Sequence, residues 1–226
     1  MRATAQRLEF IENHLDSLFA SDLHAKRVSS LACGVLGVMT SASLAVSVIG
    51  QALAQARGKA GKHSIKQVDR LLSNQSIDVW ALLPLWIKET VGARRELVIA
   101  MDWTDFDADD QTTLVFSLVT KHGRATPLLW FSLFKAELTG KRNDIEDMCL
   151  SRLKEAMSDG TKVTILADRG FGDAKLFGFL AELGFAYVIR FRGDAFATAS
   201  DGDASRRRLG WRRRLGWRRR SGAQAC

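Results

Sequence analysis

Two runs of strand-forming residues each deliver a single aspartate. Glu96–Phe106 reads Glu-Leu-Val-Ile-Ala-Met-Asp-Trp-Thr-Asp-Phe and brings Asp102 to the edge of an acidic loop. Lys162–Phe171 reads Lys-Val-Thr-Ile-Leu-Ala-Asp-Arg-Gly-Phe and brings Asp168 to a turn. Short apolar runs bounded by turn residues suit buried strands, so the fold must contain a sheet that takes both. If the two strands are neighbours, the carboxylates converge. Aspartates are hard oxygen ligands suited to Mg²⁺ or Mn²⁺, and the pair points to one metal site assembled from both strands. Carboxylates at strand ends also satisfy turn amides, and that reading stays open at this level. Two metals bridged by carboxylates serve phosphodiester cleavage, a chemistry that normally calls on at least three acidic residues; this pair supplies two.

The rest of the second half arranges itself around these runs. Strands are expected at Leu97–Met101, Thr113–Lys121 and Thr126–Phe134, with His122-Gly123-Arg124 as a hairpin turn. Helical spacing of Ile145, Met148, Leu150 and Leu153 marks Lys141–Met157 as a helix. Lys162–Ala167 is a strand, Asp173–Leu183 a helix ending at Gly184, and Phe185–Arg192 a strand. The order β-β-β-α-β-α-β describes a mixed α/β sheet. Crossover geometry places the Val163–Leu166 strand beside the first one. Asp105, Asp107, Asp109 and Asp110 read mainly as a solvated acidic loop, Glu137 and Asp144 as residues flanking the Lys141–Met157 helix, and Trp103 as a packing residue.

The first half is helical. Leu8, Ile11, Leu15 and Leu18 give an amphipathic helix, and Glu9 and Glu12 rule out a signal peptide there. Between Arg27 and Arg57 there is no charged side chain, a stretch long enough to span a bilayer. Its many serines and few large aliphatics suit two closely packed short helices with a break around Thr40–Ser43, and no membrane is expected. A basic turn, Arg57–Lys62, leads into a helix that Ser64 is expected to cap, with Ile65, Val68, Leu71 and Leu72 as its apolar face and Asn74 near its end. Lys66 and Arg70 lie four apart on one exposed face, spaced to straddle phosphates; a solvated basic helix is the other reading. A further helix, Ile77–Val91, closes this module.

Charge separates the parts. The net charge of +8 contains nine arginines between Arg206 and Arg220, so everything else sums to −1. Residues 1–95 carry +5 and residues 96–205 carry −6. A basic front and an acidic back fit a DNA-contacting module joined to a cation-collecting domain, or simply an uneven surface. The expected division is a helical DNA-binding module at 1–95, a catalytic domain at 96–195 and an arginine-rich low-complexity tail at 196–226. In that tail Arg-Arg-Arg-Leu-Gly-Trp occurs twice, with Trp211 and Trp217 available for base stacking; an accident of reading frame is the preferred explanation. Cys33, Cys149 and Cys226, widely spaced and odd in number, read as reduced thiols of a cytoplasmic protein.

Met-Asp-Trp-Thr-Asp-Phe followed by Leu-Ala-Asp-Arg-Gly-Phe-Gly-Asp resembles the first two catalytic blocks of bacterial insertion-sequence DDE transposases. The branch is the one whose third block reads Tyr-x2-Arg-x3-Glu-x6-Lys. Val68–Asn74 resembles that branch's helical DNA-binding region, and Tyr187–Arg190 its strand after the second block. The resemblance implies a ribonuclease-H-like fold. It also implies Mg²⁺-dependent (or Mn²⁺-dependent) nicking and strand transfer at terminal inverted repeats. Asp102 and Asp168 would be the catalytic, metal-binding pair, with Arg169 and Asp173 nearby and Arg169 meeting DNA phosphate. Lys62, Lys66 and Arg70 join Arg169 as DNA-binding candidates. The implied partners are double-stranded transposon ends and a second protomer, either this chain or the full-length enzyme, in a cytoplasmic, nucleoid-associated setting.

The third block is where the chain departs. Tyr187-x2-Arg190-x3-Asp194 imitates its spacing, but Asp201 stands where lysine is required and the residues fall on an expected strand. The chain is therefore expected to be C-terminally incomplete, truncated or frame-shifted before the catalytic glutamate, and inactive or severely impaired. The alternative from a different class is a non-catalytic DNA-binding protein that regulates transposition.

Overall fold

Freedom from charge between Arg27 and Arg57 has a packing explanation. In the computed structural model, which describes residues 2–190 and the paired segments Phe196–Ala197 and Arg207–Arg208, this stretch forms α2 (Ala25–Ser41) and α3 (Val46–Arg57). The two helices are bent 97° from each other. Ala42, left-handed at φ 49°, ends α2. Small residues let the helices touch: a β-carbon on Gly37 would lie 2.9 Å from the Ile49 carbonyl oxygen. Helix α1 (Arg2–Phe19) lays Leu8, Ile11 and Leu15 on the same core, as its periodicity requires. Among the described residues, no single helix is long and apolar enough to cross a membrane; only the bent α2–α3 pair passes such a test, by length and composition.

Helix α4 (Gly61–Leu72) follows α3 after the three-residue turn Gly58–Ala60, where Gly58 takes φ 62°. It starts four residues earlier than expected, so Ser64 is buried inside the helix instead of capping it, and Ala60 is the N-cap. Leu72 also departs from its expected place on the apolar face: it is 67% exposed. Asn74 accepts from the Ser76 amide in the following turn.

Helix α5 (Val79–Val91) starts on an Asp78 cap whose carboxylate accepts from the Ala81 amide. It is shared between the two halves of the chain. Leu82 and Leu85 pack with Phe19, Leu23 and Val28, while Leu83, Ile87 and Val91 belong to the core under the sheet. Pro84 has no amide proton, which frees the carbonyl four residues earlier. That carbonyl, on Trp80, accepts from the Arg152 guanidinium at 2.8 Å.

The sheet comprises β1 (Glu96–Phe106), β2 (Gln111–Val119), β3 (Ala125–Phe134), β4 (Lys162–Ala167) and β5 (Ala186–Ile189), in the spatial order β3-β2-β1-β4-β5. The first three form an antiparallel meander, and β4 and β5 add in parallel to β1. The hairpin turn at Thr120–Arg124 forms as expected, with Gly123 at φ 73°. Strand β1 does not break off after Asp102; it runs on to Phe106 because β2 continues to pair with it as far as Gln111. A one-turn helix, α6 (Lys135–Leu138), follows β3 and was not anticipated; Glu137 caps it by accepting from the Phe134 amide.

Helices α7 (Arg142–Glu155) and α8 (Ala174–Glu182) carry the crossovers β3 to β4 and β4 to β5. Both parallel steps advance in the same direction across the sheet, so right-handed connections put both helices on one face. Ile145, Leu150 and Leu153 of α7 and Leu176 and Leu180 of α8 accordingly share one core with Leu97, Ile99 and Met101 of β1. The opposite face carries Val98, Trp130 and Val188, all exposed.

Candidate functional site

Parallel pairing of β1 with β4 runs up to both aspartates. Met101 is the register partner of Ala167. The residue after each partner is an aspartate, so the register brings Asp102 and Asp168 to one level, Asp102 within β1 and Asp168 just past the end of β4. Their predecessors on β1, Leu97, Ile99 and Met101, alternate into the core, and the alternation assigns Asp102 to the open face beside Val98 and Ala100. Asp168 continues the extended backbone of β4 at φ −79°, ψ −179°. Both side chains are exposed.

The two are held differently. Asp102 lies within a strand, paired with Val115 of β2. Asp168 opens a 3-10 turn, Arg169–Phe171, and its Oδ1 accepts from the Gly170 amide at 2.7 Å. A β-carbon on Gly170 would approach that same oxygen to 2.9 Å, so any larger residue there would push the carboxylate aside. Asp173 caps α8, with Oδ1 accepting from the Lys175 amide and Oδ2 from the Asn143 side chain. It supports the turn and does not join the pair.

Behind the aspartates is a cluster that sequence reasoning missed. Glu146 of α7 is 4% exposed, and its Oε1 accepts from Trp103 Nε1 at 2.8 Å and from Arg142 Nε at 2.9 Å. The Arg142 guanidinium lies 5.5 Å from the Trp103 ring centre and 5.3 Å from that of Phe171. The available signal was the Arg142–Glu146 spacing of four within a helix, where a carboxylate sits among Ile145, Cys149 and Leu150. Trp103 is a packing residue, as its type suggested.

The acidic loop is occupied by a cation of the chain itself. Lys135 of α6 hydrogen-bonds Asp107 and lies 4.0 Å from Asp105. The contact with Lys135 holds the Asp107 carboxyl below its usual range and raises the Lys135 ammonium. Asp109 and Asp110 are exposed.

A divalent ion would find hard oxygen donors in Asp102 and Asp168 and no competing thiolate or imidazole in the pair. That chemistry fits Mg²⁺ or Mn²⁺, ions that keep several waters of their own. Among the described residues, no group of three or more acidic, histidine or cysteine side chains is placed to hold a metal.

Lys62, Lys66 and Arg70 are all exposed, spaced by four along α4 on the side away from buried Ser64 and Val68. No acidic residue occupies the first turn of α4, where Lys62 sits. A cation at a helix N-terminus opposes the macrodipole, so this charge works against the helix that carries it. Arg169 is exposed next to Asp168. Tyr187 lies on β5 and stacks on Phe177 at 5.0 Å between ring centres. Asp194, Asp201, Trp211 and Trp217 lie outside the described residues.

Compared with known proteins, residues 93–221 match the family model described as a transposase DDE domain. No curated protein matches the chain.

Proposed function

The chain belongs to the transposase DDE-domain family, and from that premise we propose that it is an insertion-sequence transposase acting on terminal inverted repeats. The observation that supports this most directly is the parallel register of Met101 with Ala167, which brings Asp102 and Asp168 side by side. In this reading the two carboxylates hold Mg²⁺ or Mn²⁺. An ion held by Asp102 and Asp168 would supply Lewis-acid activation for attack of a water or a 3′-hydroxyl on a phosphodiester. Asp102 and Asp168 orient it on the open face of the sheet, Gly170 holds the Asp168 carboxylate through its amide, and Arg169 offers a cation for phosphate.

The sheet, in the order β3-β2-β1-β4-β5, is read as ribonuclease-H-like. The helical module at 1–95 is read as the DNA anchor. Two helices joined by a three-residue turn, the second one basic, is the layout of helix-turn-helix readers. Lys62, Lys66 and Arg70 then supply phosphate contacts, and the unfavourable placement of Lys62 is explained by a partner of opposite charge. Action at the nucleoid, as a homodimer or with another transposase chain, completes the reading.

One observation favours a second reading. Among the described residues the site offers two carboxylates, where this chemistry normally uses three acids. A chain that binds transposon ends without turning them over would regulate transposition instead.

Two assays on inverted-repeat duplex DNA with Mg²⁺ separate the two: a gel-shift titration and a nicking assay. DNA binding should be equal in wild type and Asp102→Ala. Any nicking by wild type should vanish in Asp102→Ala, and its absence in both supports the regulatory reading. Nicking that persists unchanged in Asp102→Ala and Asp168→Ala would refute the site.

A further inference from the structure

We infer that Arg142 and Glu146 are positioning residues that set the separation of Asp102 and Asp168, a role that rests on the reading of those aspartates as a metal pair. The sheet alone does not fix both carboxylates. Pairing between β1 and β4 ends at Met101 and Ala167, one residue short of each aspartate. Beyond that point β1 is held by β2, while the chain after Asp168 turns away. Something must tie the two departing segments together.

Helix α7 provides the tie. Trp103 directly follows Asp102, and Phe171 lies three residues after Asp168; the Arg142 guanidinium touches both rings, at 5.5 and 5.3 Å. Cation–aromatic contact of this kind strengthens as the site is desolvated. Phe171 is buried, and Arg142 is half withdrawn, its side chain 44% exposed. Glu146 locks the arrangement from beneath, since one buried oxygen accepts from both the Trp103 indole and the Arg142 Nε. A planar guanidinium anchored through Nε keeps its face fixed between two rings, which a lysine ammonium does less well. Next along α7, Asn143 bonds Asp173 and tethers the far end of the Asp168 turn. The same one-turn stretch of helix therefore grips both aspartate-bearing segments.

The cluster touches no reacting group, so it acts through the aspartates. Partners that orient metal ligands are typically worth 10–100-fold in metal affinity. The test is Mn²⁺ binding to the full chain, followed by electron paramagnetic resonance, with circular dichroism melts on every variant. Asp102→Ala sets the reference and should abolish the site; if it binds Mn²⁺ like wild type, the metal-pair reading falls and takes this inference with it. With that reference established, Arg142→Ala should weaken Mn²⁺ about 10-fold, and Arg142→Lys should recover part of the loss. Leu153→Ala, a buried truncation at the far end of the same helix, should lower the melting temperature while leaving Mn²⁺ affinity unchanged. Glu146→Gln keeps an acceptor for the indole but removes the charge facing Arg142. It should shift the Trp103 indole N–H resonance and weaken Mn²⁺ by a smaller factor, and it serves if Arg142→Ala does not fold. Mn²⁺ affinity within twofold of wild type in the folded Arg142 or Glu146 variants, or an equal loss in Leu153→Ala, would overturn the assignment.

Discussion

Replacing a glycine by alanine inside a helix should have opposite consequences at two positions of this protein. Gly50 lies in α3 where α4 crosses it: a β-carbon there would lie 2.4 Å from Ile65 Cα, 2.6 Å from its Cγ1 and 2.7 Å from its backbone nitrogen. Carbon atoms rest at about 3.5–4.0 Å, so the helices must part by roughly 1 Å or more. Two of the three atoms are backbone, and no rotamer change relieves them. Overpacking costs about 1–3 kcal/mol, and this site belongs at the upper end. Against it stands the gain in helix propensity, about 0.5–1 kcal/mol. The net expectation for Gly50→Ala is a loss of about 2 kcal/mol. Gly178 of α8 has nothing within 4 Å of its virtual β-carbon, so Gly178→Ala keeps only the gain and should stabilise by about 0.5–1 kcal/mol. Urea unfolding followed at 222 nm measures both. With a slope of about 2 kcal/mol/M, the midpoint of Gly50→Ala should fall by about 1 M. A parting of α3 from α4 also displaces the basic helix, so DNA affinity should drop in Gly50→Ala and stay constant in Gly178→Ala. A Gly50→Ala midpoint at or above wild type would refute the close crossing of α3 and α4.

Three further outcomes are expected. Lys62→Ala, Lys66→Ala and Arg70→Ala should each lower the slope of log affinity against log salt by about 1, with thermal stability changed by less than about 1 kcal/mol; an unchanged slope in all three removes α4 from the DNA interface. Burial, with Glu146 nearby, pushes the Cys149 thiol up to about 12, leaving on the order of 10⁻⁴ of it as thiolate at pH 8. Cys149 should therefore resist iodoacetamide in the folded protein and react after unfolding, as peptide mass mapping reads directly. Burial and then the neighbouring Glu146 raise the Asp147 carboxyl above its ordinary value. A raised carboxyl binds its proton more tightly folded than unfolded, so its ionisation costs stability as pH rises through that value. Asp147→Asn should thus be more stable than wild type at pH 7, with the difference closing below about pH 3.8, the ordinary value; a difference that does not change with pH would exclude this origin.

Much of this architecture could be read from side-chain periodicity. Leu97, Ile99 and Met101 alternate because β1 covers a helix layer on one side, and the spacing of apolar residues in α1 and α7 reports the cores they face, save that Met148, expected on the buried side of α7, is exposed. Where reading failed, a tertiary partner had overridden a local signal. Strand β1 continues past Asp102 into polar residues because β2 supplies hydrogen bonds there as far as Gln111. Ser64 resembles a cap, yet α4 begins at Gly61, and the small hydroxyl serves burial instead. Leu72 matches a helical face that the bundle does not cover.

Residue order alone already showed two strands each leading to one aspartate, and a helical half that is basic and closely packed. Those properties follow from residue order along a single chain segment, where alternation and spacing are local. Crossover order already put the two strands side by side, as they stand in the fold; what folding added is their register, Met101 beside Ala167, a relation between segments more than sixty residues apart. Only the tertiary structure decided that Glu146, unremarkable in a polar helix, is the buried acceptor joining Trp103 to Arg142. A buried carboxylate is recognised by what surrounds it, and its surroundings here come from two strands and a turn that the chain reaches only by folding.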